Sequence, residues 1–154
     1  DSFKGLARAW GSFREGASWS VLGDDVLPPT EFNVEFVHGW FNESLPSFLH
    51  GIRASSRSKL PRVSLLHLDA DLYESTLEVL QMLLPFLGPG SILVFDDVPE
   101  PSAHMSTKEN WHAIFEIMQQ KNWTWRVEIL AAPWLAWLGA HFHQFGSLAL
   151  RLTT

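Results

Sequence analysis

Three aspartates stand directly after apolar runs in this 154-residue chain: Asp69 follows "RVSLLHL", and Asp96 and Asp97 follow "SILVF". A buried strand that stops in charge delivers its carboxylate to an edge of the sheet, so two strands that end alike bring their carboxylates to one edge. Carboxylates gathered there repel. A pair about 4 Å apart costs on the order of 4 kcal/mol at an effective dielectric of about 20, and a cation or a shared proton must offset it. Oxygen-only donors suit a hard ion such as Mg²⁺, with water completing the octahedron.

Other polar residues carry weaker signals. Asp71 opens D-x-x-E with Glu74, the pattern of a capping box at a helix start, and is read as a cap ahead of a ligand. Asp97 precedes Val98 and Pro99, so it also fits a solvated turn. The seven histidines show no ligand spacing on a helix face; His141 and His143 are two apart in a segment without clear periodicity. The eight tryptophans read mainly as core or its cover, with Trp40, in a loop, fitting a pocket wall equally well.

The elements that would position the aspartates follow from hydrophobic periodicity. The first 30 residues show no sustained period and are expected to be mostly irregular with one short helix. "NVEFVHG" reads as a strand ended by Gly39, and "SLPSFLHGI" as a short helix capped by Ser44. "RASSRSKLP" is a loop by composition, and "RVSLLHL" is a buried strand. From Tyr73 the residues Leu77, Leu80, Leu83, Leu84 and Leu87 recur at helical spacing until "GPG" stops them before "SILVF", which makes a βαβ unit. A second helix is expected over "TKENWHAIFEIMQQK", with Trp111, Ile114, Phe115 and Met118 on one face. The strands "TWRVEIL" and "SLALRLT" follow. Alternation of this kind predicts an α/β fold with an open, largely parallel sheet and loops at the strand carboxyl ends forming the site.

Length and a hydrophobic fraction of 46% predict one packed domain spanning residues 1–154. The 11 Lys and Arg against 17 Asp and Glu give a net charge of -6, which argues against nucleic acid and anionic membrane surfaces as partners. No cysteine is present, so thiolate metal sites and disulfides are excluded. No apolar stretch reaches the length of a membrane span, "ILAAPWLAWLGA" being broken by Pro133, and the default compartment is cytoplasmic.

Four blocks in order, "DSFKGL", "NVEFVHGWFNESLP", "LLHLDADLYEST" and "PGSILVFDDV", resemble the class I S-adenosylmethionine-dependent methyltransferases of the macrocin O-methyltransferase type. The resemblance implies a Rossmann-like sheet of order 3-2-1-4-5-7-6, closed by an antiparallel hairpin in "TWRVEIL" and "SLALRLT". It implies that Asp69, Asp96 and Asp97 bind Mg²⁺ and that Asp69 is the catalytic base. It also implies that Asp1 contacts the cofactor ribose, that Gly39 and Trp40 lie near the adenine, and that Asp69 borders the same S-adenosylmethionine site. The expected reaction is methyl transfer to a hydroxyl of a small molecule such as a sugar or natural product. The glycine-rich turn that follows the first strand in this class has no counterpart, so the resemblance implies a fragment beginning at the end of the second strand. The first strand would then be missing, cofactor binding poor, and the edge of "RVSLLHL" exposed unless "NVEFV" pairs with it.

Two rival readings remain. Hydrophobic residues followed by D-x-D, here Asp69 and Asp71, also occur in metal-dependent nucleotide-sugar glycosyltransferases, although that leaves "FDDV" without a role; a D-x-D-x-T phosphatase fits less well because position 73 is Tyr. The other rival is a non-catalytic remnant that keeps the sheet and lacks the cofactor site.

Overall fold

The computed structural model describes residues 1–10, 13–17, 31–56, 60–99, 109–120, 126–131 and 145–154, without the side chains of residues 97, 99, 109, 111, 145 and 146. Its contacts divide the chain into two compact units, Asp1–Arg57 and Ser58–Thr154, and each is taken by itself.

The second unit carries a four-stranded sheet. Its elements are β1 (Leu65–Leu68), α2 (Tyr73–Leu83), β2 (Ile92–Pro99), α3 (Glu109–Gln120), β3 (Arg126–Ala131) and β4 (Phe145–Thr153), while α1 (Phe41–Ser55) belongs to the first unit. The strand order is β1-β2-β4-β3. β1 and β2 run parallel, and the two pairs involving β4 are antiparallel. The expected closing hairpin is therefore present, and the parallel part of the sheet is the β1–β2 pair. The described sheet reproduces the 4-5-7-6 portion of the expected order.

Burial alternates along the strands as a one-sided core requires. Leu93 and Phe95 on β2 are buried with Leu148, Leu150 and Leu152 on β4. Leu93 faces Leu150 and Phe95 faces Leu148 across the ladder. Leu80 and Leu87 join Ile117 and Met118 of α3 in lining the space over this face. The buried stripe of α3 is Asn110, Ala113, Ile117 and Met118, whereas Phe115 is exposed. The stripe expected from sequence, Trp111, Ile114, Phe115 and Met118, is thus turned by about one residue, and the Trp111 side chain lies outside the described residues. After α2 the chain tightens into a 3₁₀ turn at Leu84–Phe86, because Pro85 lacks the N–H that an α-helix would use.

Three local expectations are corrected. "RVSLLHL" contributes only Leu65–Leu68 as strand, with Leu65 62% exposed, because β1 is hydrogen-bonded to a single neighbour. "NVEFV" forms no strand; Phe32 and Val34 are exposed, and β-rich composition alone does not make a strand. Ser44 lies inside α1 rather than capping it: Trp40 is the cap residue, and Ser44 Oγ donates back to the Trp40 carbonyl at 2.9 Å. Among described residues 1–17 the chain is irregular, with an isolated bridge between Trp10 and Phe13 and no helix.

Candidate functional site

The parallel register pairs Leu65 with Ile92 and ends at Leu68 with Phe95. Asp69 and Asp96 are the next residues on neighbouring strands, so the sheet brings them to one edge as expected. Adjacent strands lie about 4.8 Å apart, which sets the scale of the separation at which these two residues leave the ladder.

β2 does not stop where the carboxylates begin. It continues to Pro99 along β4, with a register shift between Phe95 and Val98. Phe95 pairs with Leu148 and Val98 with Gly146, so three steps on β2 match two on β4 and one extra residue is accommodated as a β-bulge. An unbroken pleat would put Phe95 and Val98 on opposite faces. The bulge lets both be buried, at 1% and 0% exposure, while Asp96 between them is only partly buried.

A polar framework holds this bulge. Thr76 Oγ1, in the first turns of α2, donates to Asn110 Oδ1 at 2.7 Å. Asn110 Nδ2, at the start of α3, donates to the Asp96 carbonyl at 2.9 Å. Ser147 Oγ on β4 donates to Asp96 Oδ1. Thr76 and Asn110 are both buried. Neither Asn110 nor Ser147 was singled out from sequence; the available signal for Asn110 was an amide at helical spacing with Ala113 and Ile117.

Asp69 is exposed, and among the described residues its carboxylate has no hydrogen-bond or ion-pair partner. Two residues later Asp71 has a positive φ of 55°, and the Leu72 amide donates to the Ala70 carbonyl across it. Asp is one of the few side chains that tolerate this region. Leu72, not Asp71, is the cap residue of α2 and makes no side-chain capping bond, so Asp71 stands one residue ahead of the cap, in a tight turn.

Oxygen donors at Asp69 and Asp96 fit a small hard cation, since Mg²⁺ is commonly bound by one or two carboxylates and completed by water. Ser147 engages Asp96 Oδ1, and among the described residues Oδ2 carries no hydrogen bond. No group of three or more His, Asp or Glu side chains gathers at one point among the described residues, and the Asp97 side chain lies outside them.

Of the residues expected at the cofactor, Asp1, Gly39 and Trp40 belong to the first unit and Asp69 to the second. Gly39 N donates to the Asp1 carbonyl at 3.0 Å, and His38 Nε2 lies 2.9 Å from the Ser2 carbonyl. Phe3 packs edge-on against Phe36 with centroids 5.8 Å apart. Asp1 Oδ1 accepts from Phe3 N at 2.8 Å, so its carboxylate orients its own turn. Trp40 begins α1 immediately after Gly39, whose φ of 132° requires glycine.

The sequence model of the macrocin O-methyltransferase (TylF) family matches residues 29–126, more than half of the chain. The chain belongs to the macrocin O-methyltransferase family. Among curated relatives, this family member is 39% identical over 64 residues to the 8-demethyl-8-(2,3-dimethoxy-alpha-L-rhamnosyl)-tetracenomycin-C 4'-O-methyltransferase of Streptomyces olivaceus, covering 42% of this chain and 21% of that one. It is 29% identical over 76 residues to the mycinamicin III 3''-O-methyltransferase of Micromonospora griseorubida, covering 49% of this chain and 26% of that one. The matches thus span about a quarter or less of those relatives. Among solved structures, the O-methyltransferase NovP superposes with a TM-score of 0.51 at 20% identity, over 80% of this chain and 39% of that one, which shows the shared fold. Membership in this family removes the glycosyltransferase reading of Asp69 and Asp71. No helix among the described residues is long and apolar enough to cross a membrane.

Proposed function

We propose that the protein methylates a hydroxyl of a small molecule, with S-adenosylmethionine as donor and Asp69 as the base. The observation that carries the reading is the pairing of Leu68 with Phe95, which sets Asp69 and Asp96 side by side within the stretch that matches the family. Methyl transfer needs donor and acceptor held in line and a proton removed from the attacking hydroxyl. Asp69 suits the proton step, being a carboxylate on a strand end and exposed to an incoming acceptor. Mg²⁺, when bound, would acidify the acceptor hydroxyl. Asp69, Asp96 and Asp97 would hold it. Asp1 would face the cofactor ribose, Gly39 and Trp40 its adenine, and Asp69 would border the same cofactor. The first relative's name includes a dimethoxy-rhamnosyl group on tetracenomycin C, and a glycosylated natural product is the acceptor class we carry over.

The test is transfer of labelled methyl from S-adenosylmethionine by the full-length protein to a panel of glycosylated and free hydroxylated acceptors, with and without a chelator. Transfer that chelation abolishes and Mg²⁺ restores is expected. Transfer unaffected by exhaustive chelation would remove the ion from the reading, and a product carrying the labelled methyl on nitrogen or carbon in place of oxygen would overturn the reaction itself.

A further inference from the structure

We infer that Asn110 and Ser147 are positioning residues that present Asp96 to a divalent cation, an inference that rests on the cation-assisted reading above.

Asn110 is 3% exposed, and an amide at that depth is costly unless its donor and acceptor are both used. They are used in one sense only. A backbone carbonyl can only accept, so Nδ2 must face Asp96 and Oδ1 must face Thr76, whose hydroxyl then donates. Thr76 is itself fully buried, so the pair links the start of α2, which follows the Asp69 loop, to the strand that carries Asp96.

The framework acts where the sheet does not. Between Phe95 and Val98 the β2–β4 register shifts, and a bulge leaves a residue outside the regular ladder. Asn110 grips the backbone carbonyl of Asp96 at that point, and Ser147 grips its carboxylate through Oδ1. Backbone and side chain are held from two different elements, α3 and β4, which turns Oδ2 into the oxygen offered to a ligand. An apolar pair at positions 76 and 110 could replace the Thr76–Asn110 bond at little cost to the core, but it would take the donor away from the Asp96 carbonyl. Partners that orient a ligating carboxylate affect metal affinity directly.

The experiment is Mn²⁺ binding to the chain, followed through the free-ion signal in electron paramagnetic resonance, with thermal unfolding recorded alongside. Ser147→Ala and the apolar double variant Thr76→Val/Asn110→Leu are each expected to weaken Mn²⁺ affinity about tenfold or more, while Ser147→Thr and Thr76→Ser, which keep their hydroxyls, retain it. Asp69→Asn serves as the site control. If the double variant does not fold, Ser147→Ala decides alone, since Ser147 is only partly buried. Unchanged affinity in Ser147→Ala, with affinity lost in Asp69→Asn, would overturn the positioning role and leave the cation site standing. No saturable Mn²⁺ binding by the unaltered chain would overturn the cation site, and the positioning role with it.

Discussion

Leu68 and Phe95 are register partners on parallel strands, and each is the last residue of the β1–β2 ladder before an aspartate. Two carboxylates distant in sequence thereby leave the sheet side by side. The same ladder does not extend to Asp71, which occupies a positive-φ turn.

That contrast predicts different consequences for two similar substitutions. Asp69→Asn keeps shape but removes the proton acceptor and weakens an ion ligand, so turnover in the full-length protein should fall by at least about 100-fold. Asp71→Asn should leave turnover nearly unchanged, because Asn tolerates the same backbone region. Single-turnover methyl transfer with both variants measures this, and a larger loss in Asp71→Asn would reverse the assignment.

The bulge gives a second prediction. Removing Asp97 would leave Phe95, Asp96 and Val98 in ordinary alternation, with Val98 still opposite Gly146. Phe95 and Val98 would both remain on the buried face, so the midpoint of chemical denaturation should change little. Mn²⁺ binding should nevertheless be lost, because the deletion removes one expected ligand and straightens the segment that presents another. A collapse in stability would show that the bulge is needed by the fold itself.

Legibility in the sequence followed the range of the interactions involved. β2, α2 and the β3–β4 hairpin were readable because period 2 and period 3.6 are local patterns with long apolar runs. "NVEFV" has the same composition and forms no strand, since a strand is defined by its partner as much as by its residues. The continuation of β2 through Asp96 and Asp97 was hidden because two consecutive carboxylates look like a strand end, and only the β4 register shows that they occupy a bulge. Asn110 was hidden for a related reason: its burial depends on which side of α3 meets the sheet, and a one-residue error rotates that side by about 100°.

In the first unit, Gly39 is a position where a methyl group should cost stability. Its φ is 132°, and a Cβ there would stand 3.1 Å from Ser44 Cβ, inside the tight end of ordinary contact. Gly39 also donates to the Asp1 carbonyl, and Ser44 donates to the Trp40 carbonyl, so neither neighbour yields easily. Gly39→Ala should destabilise this unit by about 1–3 kcal/mol. Denaturation followed by tryptophan fluorescence checks this, and an unchanged midpoint would mean that the α1 entry relaxes freely.

Tyr73 is the chain's single tyrosine, which makes its titration directly visible in the near-ultraviolet absorbance of the phenolate. Its hydroxyl donates to Glu116 Oε2, linking the start of α2 to α3, and its ring meets His112 edge-on at 6.5 Å. The hydrogen bond to Glu116 is the main cause holding the phenol above its ordinary range near 10, followed by partial burial and by the charges of Glu116 and Glu74. The folded protein therefore keeps this proton to higher pH than the unfolded chain. Stability from the pair is complete below the unfolded value and declines as pH rises through the raised folded value, because the unfolded state loses its proton first. Glu116→Gln should bring the titration back down toward its ordinary range and remove the decline, and the stability that the pair contributes at neutral pH goes with it. A native protein whose tyrosine titrates at the ordinary value, or a Glu116→Gln variant whose titration does not move, would show that the carboxylate does not control the phenol.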